Sequence, residues 1–340
     1  MRATMQLKHY HEFPHDLAPQ WDALLKASTV DVPFLRFDCM QTWWQTCGGG
    51  EWSEGDLTII TAEDDSGLIG IAPLFHAQHQ DRNALMFLGS IEVFDYLDFI
   101  ARPENLPAFV GEALDYAAQI DSSWHVMQLY NIVDHSPTLP ILQSAAAERG
   151  WKYESKQLQP SPYIPMPGDW DTYLASIKKK QRHEIRRKIR RLEEAEVPSR
   201  WYIVKDENKL ESEMDSFLDL MAQDPTKVSF LTDAMHDYMQ RIARCSFRSG
   251  FLQLSFLEID GEKAAGKMLF NYRNRLWAYN SGVDQRFREY SPGWVLLGYL
   301  LQWANENEIE EFDFMRGDET YKYRFGAIDR FVMQASLTRN

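Results

Sequence analysis

Cysteine is scarce in this chain, with three residues, Cys39, Cys47 and Cys245, in 340. They are odd in number, far apart and without a C-x-x-C pair, which argues against a disulfide framework or a cysteine zinc site and fits a reducing, cytoplasmic setting. Long apolar runs are missing too, and the opening MRATMQLKHYHEF has no apolar leader-like core, so neither a transmembrane segment nor a secretory signal is expected. Positive charge is in deficit. Against 50 Asp and Glu there are 36 Lys and Arg, and the formal charge of −14 disfavours a DNA binder, which needs a basic surface. The triplet His9/His11/His15 and the pair His76/His79 bring neither cysteines nor a carboxylate motif, so no metal is expected. No G-x-S-x-G, Walker loop or dinucleotide fingerprint occurs, and no cysteine has a nucleophile's setting, so a covalent acyl-enzyme is not expected.

What is present is ample material for a core: 44% hydrophobic and 13% aromatic residues. The length exceeds one ordinary core, so two domains are expected. Pro160, Pro162, Pro165 and Pro167 crowd one stretch that can continue neither a helix nor a central strand, which sets the boundary between 1–160 and 161–340. In the first half, period-2 apolar spacing marks strands over 57–62 and 68–76 around Asp64-Asp65-Ser66-Gly67, followed by a strand, a helix over 106–119, a strand over 125–130 and a helix over 139–149 stopped by Gly150. The second half repeats the plan, with one long helix over 169–195, helices over 208–223 and 233–246, and hairpin strands over 251–259 and 263–272 across Asp260-Gly261. Strands alternating with helices predict an α/β class, α+β mixed sheets, with a ligand cleft where the two domains meet.

Residues 276–327 carry the most specific pattern. A strand over 276–283 runs through a polar turn into a helix opened by Ser291-Pro292-Gly293, and a second strand over 311–315 ends at Arg316-Gly317-Asp318. Ser291 is expected as N-cap, Pro292 suits the first helical position, and Gly293 lets a ligand near the backbone, so free N–H groups at the positive helix end would meet a phosphate. Ionisable groups gather at the end of the second strand: Asp313, Arg316, Asp318, Glu319, Tyr321 and Lys322. Acyl transfer to an amine needs a proton acceptor and a donor, and the carboxylates with Tyr321 supply both. Alternation turns Asp313 away from Phe312 and Phe314, which equally suits a structural carboxylate holding Arg316.

These pieces, together with Ser161-Pro162-Tyr163-Ile164, Gly70-Ile71-Ala72-Pro73-Leu74 and Leu88-Gly89, resemble the GNAT superfamily of acyl-CoA N-acyltransferases, in particular the tandem CelD-related and BioF-like acetyltransferases, with Fem peptidyltransferases as more distant relatives. The resemblance spans nearly the whole chain. One departure is that GNAT enzymes commonly carry Arg/Gln-x-x-Gly-x-Gly/Ala at the pyrophosphate, where Gln285–Gly293 has one glycine. It implies two tandem GNAT-like domains, the second holding acetyl-CoA or another acyl-CoA through Val283, Arg286, Arg288, Ser291, Pro292 and Gly293, and catalysis by residues among Asp313, Asp318, Glu319, Tyr321 and Lys322. It also places the Lys178–Glu194 helix beside the acceptor.

That helix packs nine Lys and Arg between Lys178 and Arg191. A charge run is commonly a solvated face, yet Arg186 and Lys188 would also suit an anionic acceptor such as a nucleotide-linked sugar, with Arg316 nearby; Glu184 stands four residues before Lys188 and is an alternative partner. Asp95-Tyr96-Leu97-Asp98 reads either as turn chemistry or as acceptor binding, Tyr96 stacking on a sugar. The expected activity is an acyl-CoA-dependent N-acyltransferase for a small-molecule amine, an amino sugar or its phosphorylated, nucleotide-linked form in envelope polysaccharide synthesis. Its rivals are a Fem-like transferase using aminoacyl-tRNA and a non-catalytic acyl-carrier-binding module.

Overall fold

The computed structural model describes residues 5–339, which divide into two compact units, 5–159 with 331–339, and 160–330. The first unit contains β1 (Gln6–Tyr10), α1 (Ala18–Lys26), α2 (Phe37–Gln45), a short turn α3 (Cys47–Gly50), β2 (Asp56–Asp64), β3 (Gly67–His79), β4 (Arg82–Phe87), β5 (Ile100–Ala101), α4 (Leu106–Ile120), β6 (Val126–Val133), α5 (Thr138–Glu148) and β7 (Lys152–Pro160). Apolar alternation gives way in β3 and β6 to almost continuous burial, as expected of central strands covered on both faces.

The second unit holds β8 (Tyr163–Pro165), α6 (Trp170–Ser176), α7 (Lys179–Glu193), β9 (Ser199–Ile203), α8 (Glu207–Ala222), α9 (Asp233–Arg248), β10 (Leu252–Ile259), β11 (Glu262–Tyr272), β12 (Arg275–Val283), α10 (Pro292–Glu306), β13 (Glu311–Asp313) and α11 (Thr320–Arg324). The final strand, β14 (Phe331–Thr338), which the sequence groups with the second half, pairs instead with β6 of the first unit. Long-range pairing of this kind leaves no local trace.

The sheet orders are β1-β2-β3-β4-β6-β14-β7, with β5 beside β3, and β8-β13-β12-β11-β10-β9. β4 pairs with β6, and β12 with β13, in parallel, whereas β1 with β2, β2 with β3, β3 with β4 and β5, β6 with β14, β8 with β13, β9 with β10, β10 with β11 and β11 with β12 are antiparallel. Strand, two helices, three antiparallel strands, helix, parallel strand is thus the plan of both units.

The helix expected over 169–195 is two helices. Ile177 has φ −91, ψ 160 and Lys178 φ −54, ψ 136, so the chain is extended for two residues between α6 and α7. Arg182 Nη1 reaches back to the Leu174 carbonyl, at 3.2 Å, and occupies an acceptor freed by the break. α10 is apolar nearly all round and lies in the core, where Val295, Leu296, Leu300 and Leu301 meet Leu257, Leu269 and Leu276 of the sheet and Ile185 of α7. Full burial of each such side chain stabilises by about 1.5–3 kcal/mol. Gly298 sets the α7–α10 approach, because a Cβ there would stand 3.0 Å from Ile189 Cδ1.

Candidate functional site

Strands β12 and β13 run together only from Arg275 to Trp277 against Glu311 to Asp313. Beyond that point β12 continues to Val283, while the other chain turns off: the Phe314 N–H donates to the Pro162 carbonyl and the Gly317 N–H to that of Pro160, each at 2.9 Å. The β11–β12 register shifts between Met268 and Leu269, leaving Tyr279 without a counterpart. From Ala278 onward, the side of β12 that faced β13 therefore has no strand neighbour among the described residues. An extended, amide-bearing chain laid along that edge would find strand-like donors and acceptors.

α10 starts behind this opening. Ser291 adopts φ 53, ψ 52 and makes no side-chain cap bond, which corrects the expected N-cap role. Its carbonyl accepts the Trp294 and Val295 N–H groups at 3.0 Å, and Pro292 has none, so Gly293 provides the first-turn N–H left without a backbone acceptor among the described residues. Gly293 is also required by packing, since a Cβ would lie 2.8 Å from Val283 Cγ2. Of the two arginines expected at a phosphate, Arg286 is engaged by Asp284 at 2.7 Å and Glu262 at 2.5 Å, whereas Arg288 is exposed.

The loop after β13 is held from within. Lys322, 2% exposed, donates from Nζ to the carbonyls of Met315, Arg316 and Gly317 at 3.1, 2.8 and 3.0 Å and pairs with Glu319 at 3.0 Å. Met315 sits at φ 62 and Gly317 at φ 113, so the lysine secures a turn whose backbone is costly for an L-residue. Asp313 is fully buried, accepts the Met315 N–H at 2.7 Å and binds Arg330 at 2.6 Å. Arg330 is thus one partner of Asp313, and Asp313 and Lys322 are built into the scaffold rather than presented to a substrate. Arg316 is half-buried in the same loop. Asp318 and Glu319 are exposed at its tip. Tyr321 packs edge-on to Phe314, and burial, then the Glu319 charge, raises its pKa well above the ordinary phenol value. Trp294 of α10 packs on Phe325 at 4.6 Å, so the helix start and this loop meet.

Two lysines missed in the sequence also belong here. Lys267 lies on β11 within 6.0 Å of the Tyr321 ring centroid. Burial, then the charges of Lys227 and Lys322, lowers its pKa to about 8 against the opposing pull of Glu319. Lys227 donates to Asn280 Oδ1 at 2.8 Å and to the Ser281 carbonyl at 2.6 Å, and burial lowers its pKa as well. The signal for Lys267 was one cation inside the apolar run Ala264–Phe270.

On α7, Lys188 meets Glu184 at 3.6 Å and lies 4.2 Å over the Trp294 ring, with its pKa lowered by burial. Arg186 reaches Asp171 at 3.0 Å, and Arg187 pairs with Glu184 at 2.8 Å. In the first unit, Asp95 and Tyr96 are buried, and so is Asp98, which accepts Ser136 and Thr138 hydroxyls at 2.5 Å and the Phe99 N–H at 2.8 Å. Burial pushes its pKa up to about 6. Tyr96 offers no open ring for stacking and Asp98 no free oxygen for an acceptor, which corrects both expectations in favour of internal turn chemistry.

Residues 179–323 match the family model of the acetyltransferase (GNAT) domain. Among solved structures, the chain is similar to FemX at 13% identity, covering 96% of each chain with a TM-score of 0.68. L-PGS from Bacillus licheniformis gives 14% identity, 96% and 93% coverage and 0.59. A tandem GNAT protein from the clavulanic acid biosynthesis pathway gives 12%, 99% of each chain and 0.52. Likeness at these identities is likeness of fold. No curated protein sequence matches the chain significantly.

Proposed function

We propose, from the premise that the chain is a GNAT-fold acyltransferase with Fem-like structural relatives, that its second unit transfers an acyl group from acyl-CoA to a small-molecule amine. The carrying observation is the early parting of β12 and β13 beside the start of α10. The open edge of β12 would receive the carrier's amide-bearing arm, and Gly293 N–H with the helix end its phosphates. The residues present fit such a carrier in backbone donors more than in side chains, since Arg286 is already paired.

In this reading the acceptor nitrogen's lone pair forms the C–N bond at the thioester carbonyl, and the C–S bond breaks as the thiolate leaves. The nitrogen's proton passes to Asp318 or Glu319, the two carboxylates open to solvent at the loop tip, and Tyr321, which holds its proton firmly, donates a hydrogen bond to the departing thiolate, which takes its proton from water after release. An amino sugar or nucleotide-linked sugar is the preferred acceptor, a choice that rests on the family resemblance. Thermal shifts with acetyl-CoA and longer acyl-CoAs, followed by thiol release with an amine panel, test the reading. Absence of both stabilisation and thiol release at millimolar donor would defeat it.

A second reading takes an aminoacyl-tRNA as donor. The exposed Lys179, Lys180, Arg190 and Arg191 on α7 favour it, because a nucleic acid needs a cationic face. Transfer from aminoacyl-tRNA with no thiol release from acyl-CoA would select this reading over the first.

A further inference from the structure

Lys267 is 7% exposed, and its ammonium has no hydrogen-bond or ion-pair partner among the described residues. It lies directly opposite Ser255 on β10 and Ser281 on β12, so these three side chains share one face of the sheet. Ser255 Oγ is buried without a partner, and so is Nε2 of Gln253, one step along the same face. Lys227 and Lys322 stand close enough to act on the Lys267 charge, and Glu319 is the acid that opposes them. Lys322 is satisfied by three carbonyls and that acid, and Lys227 by Asn280 and Ser281. Donors without acceptors, and three cations against Glu319 and the Asp224 that acts on Lys227, make an environment short of negative charge. A buried cation left unpaired is costly, and that cost is relieved by an anion bound beside it.

We infer that Lys267, with Ser255 and Gln253 on its sheet face and Lys227 and Lys322 flanking it, seats an oxyanion group, a carboxylate or a phosphate, carried by a substrate. That a substrate carries the group rests on the acyl-transfer reading, whereas the seat itself does not. The seat selects among acceptors or acyl groups: those bearing an anionic oxygen group are held, and neutral analogues are not.

The test is amine labelling of the wild-type chain, read peptide by peptide across a pH series with no addition, with inorganic phosphate, or with succinate. Exposed Lys152 serves as the reference. Occupation of the seat should slow labelling of Lys267 by roughly tenfold when the anion stands at ten times its Kd, and shift its half-labelling pH upward, with Lys152 unchanged. The anion that protects at lower concentration identifies phosphate or carboxylate. Lys267→Met should abolish any thermal stabilisation by that anion, and the labelling remains informative if this variant does not fold. Labelling of Lys267 at one rate in all three solutions would overturn the proposal. Protection by phosphate or succinate in a protein that acyl-CoA does not stabilise would leave the seat and remove the acyl-CoA reading, and the reverse pattern would remove only the seat.

Discussion

Lys322→Met separates scaffold from chemistry at the loop after β13. Methionine keeps much of the aliphatic length but donates nothing, so the carbonyls of Met315, Arg316 and Gly317, now bound at 3.1, 2.8 and 3.0 Å, lose their shared donor. Each would cost about 1–3 kcal/mol if it stayed dry, and because a surface loop can turn carbonyls to water, we take about 3 kcal/mol for the set. That weakens the closed loop by roughly 10² in its opening equilibrium. The second unit need not unfold, so a global melt is the wrong assay. Hydrogen exchange at two amides reads the loop directly: Met315, which donates to Asp313, and Gly317, which donates to Pro160. Both should exchange about a hundredfold faster, amides of β6 should not change, and Lys322→Arg should restore most of the protection. Unchanged exchange at both amides, with turnover lost, would refute the scaffold assignment and return Lys322 to the reacting groups.

Gly293→Ala should disturb the start of α10 even without ligand, because its Cβ meets Val283 Cγ2 at 2.8 Å; pairing it with Val283→Ala should recover the melting temperature, and acyl-CoA stabilisation is then compared in that double variant. Asp98 titrates at about 6 in the fold against an ordinary 3.8, so the native state binds more protons between these values and stability should fall as pH rises through that window, then level off. The loss is at most about 3 kcal/mol, and Asp98→Asn should flatten the slope in urea titrations followed by fluorescence; an unaltered slope would place the titrating group elsewhere. Replacing Arg186, Arg187 and Arg190 by Gln should hardly move the melting temperature, yet raise KM for a phosphorylated acceptor, as added salt should in wild type. A KM indifferent to both would leave a neutral amine as the acceptor.

Much of the fold was legible because burial in this chain follows simple periods. The hairpin strands β2–β3 and β10–β11, and the helices α4, α8 and α9, lie within a few residues of their expected spans. Two strands were not legible. β7 is a largely exposed polar strand, Lys152–Pro160, and β14 makes sense only through partners some two hundred residues away. The helix break at Ile177 was hidden because the stripe Trp170, Leu174, Ile177, Ile185 keeps a helical spacing across it. At the site, residue type pointed to the right segment but not to the job of each residue. Asp313 and Lys322 are rich in chemistry and hold the backbone, while Lys267, hidden among apolar neighbours, has no hydrogen-bond or ion-pair partner among the described residues. Whether a charged side chain faces inward to the scaffold or outward to a ligand is decided by tertiary partners, which spacing does not encode.

The course of β14 fixes an order of events during translation. The second unit has all six of its strands once residue 313 has been made. The first unit, though synthesised earlier, has a vacancy one strand wide between β6 and β7 until Phe331–Thr338 leaves the ribosome. During that interval both bordering edges carry unpaired ladder groups, the kind of surface that recruits foreign strands. A stop codon just after Arg330 would thus injure the amino-terminal unit and spare the one beside it in sequence: the half that is made first is finished last.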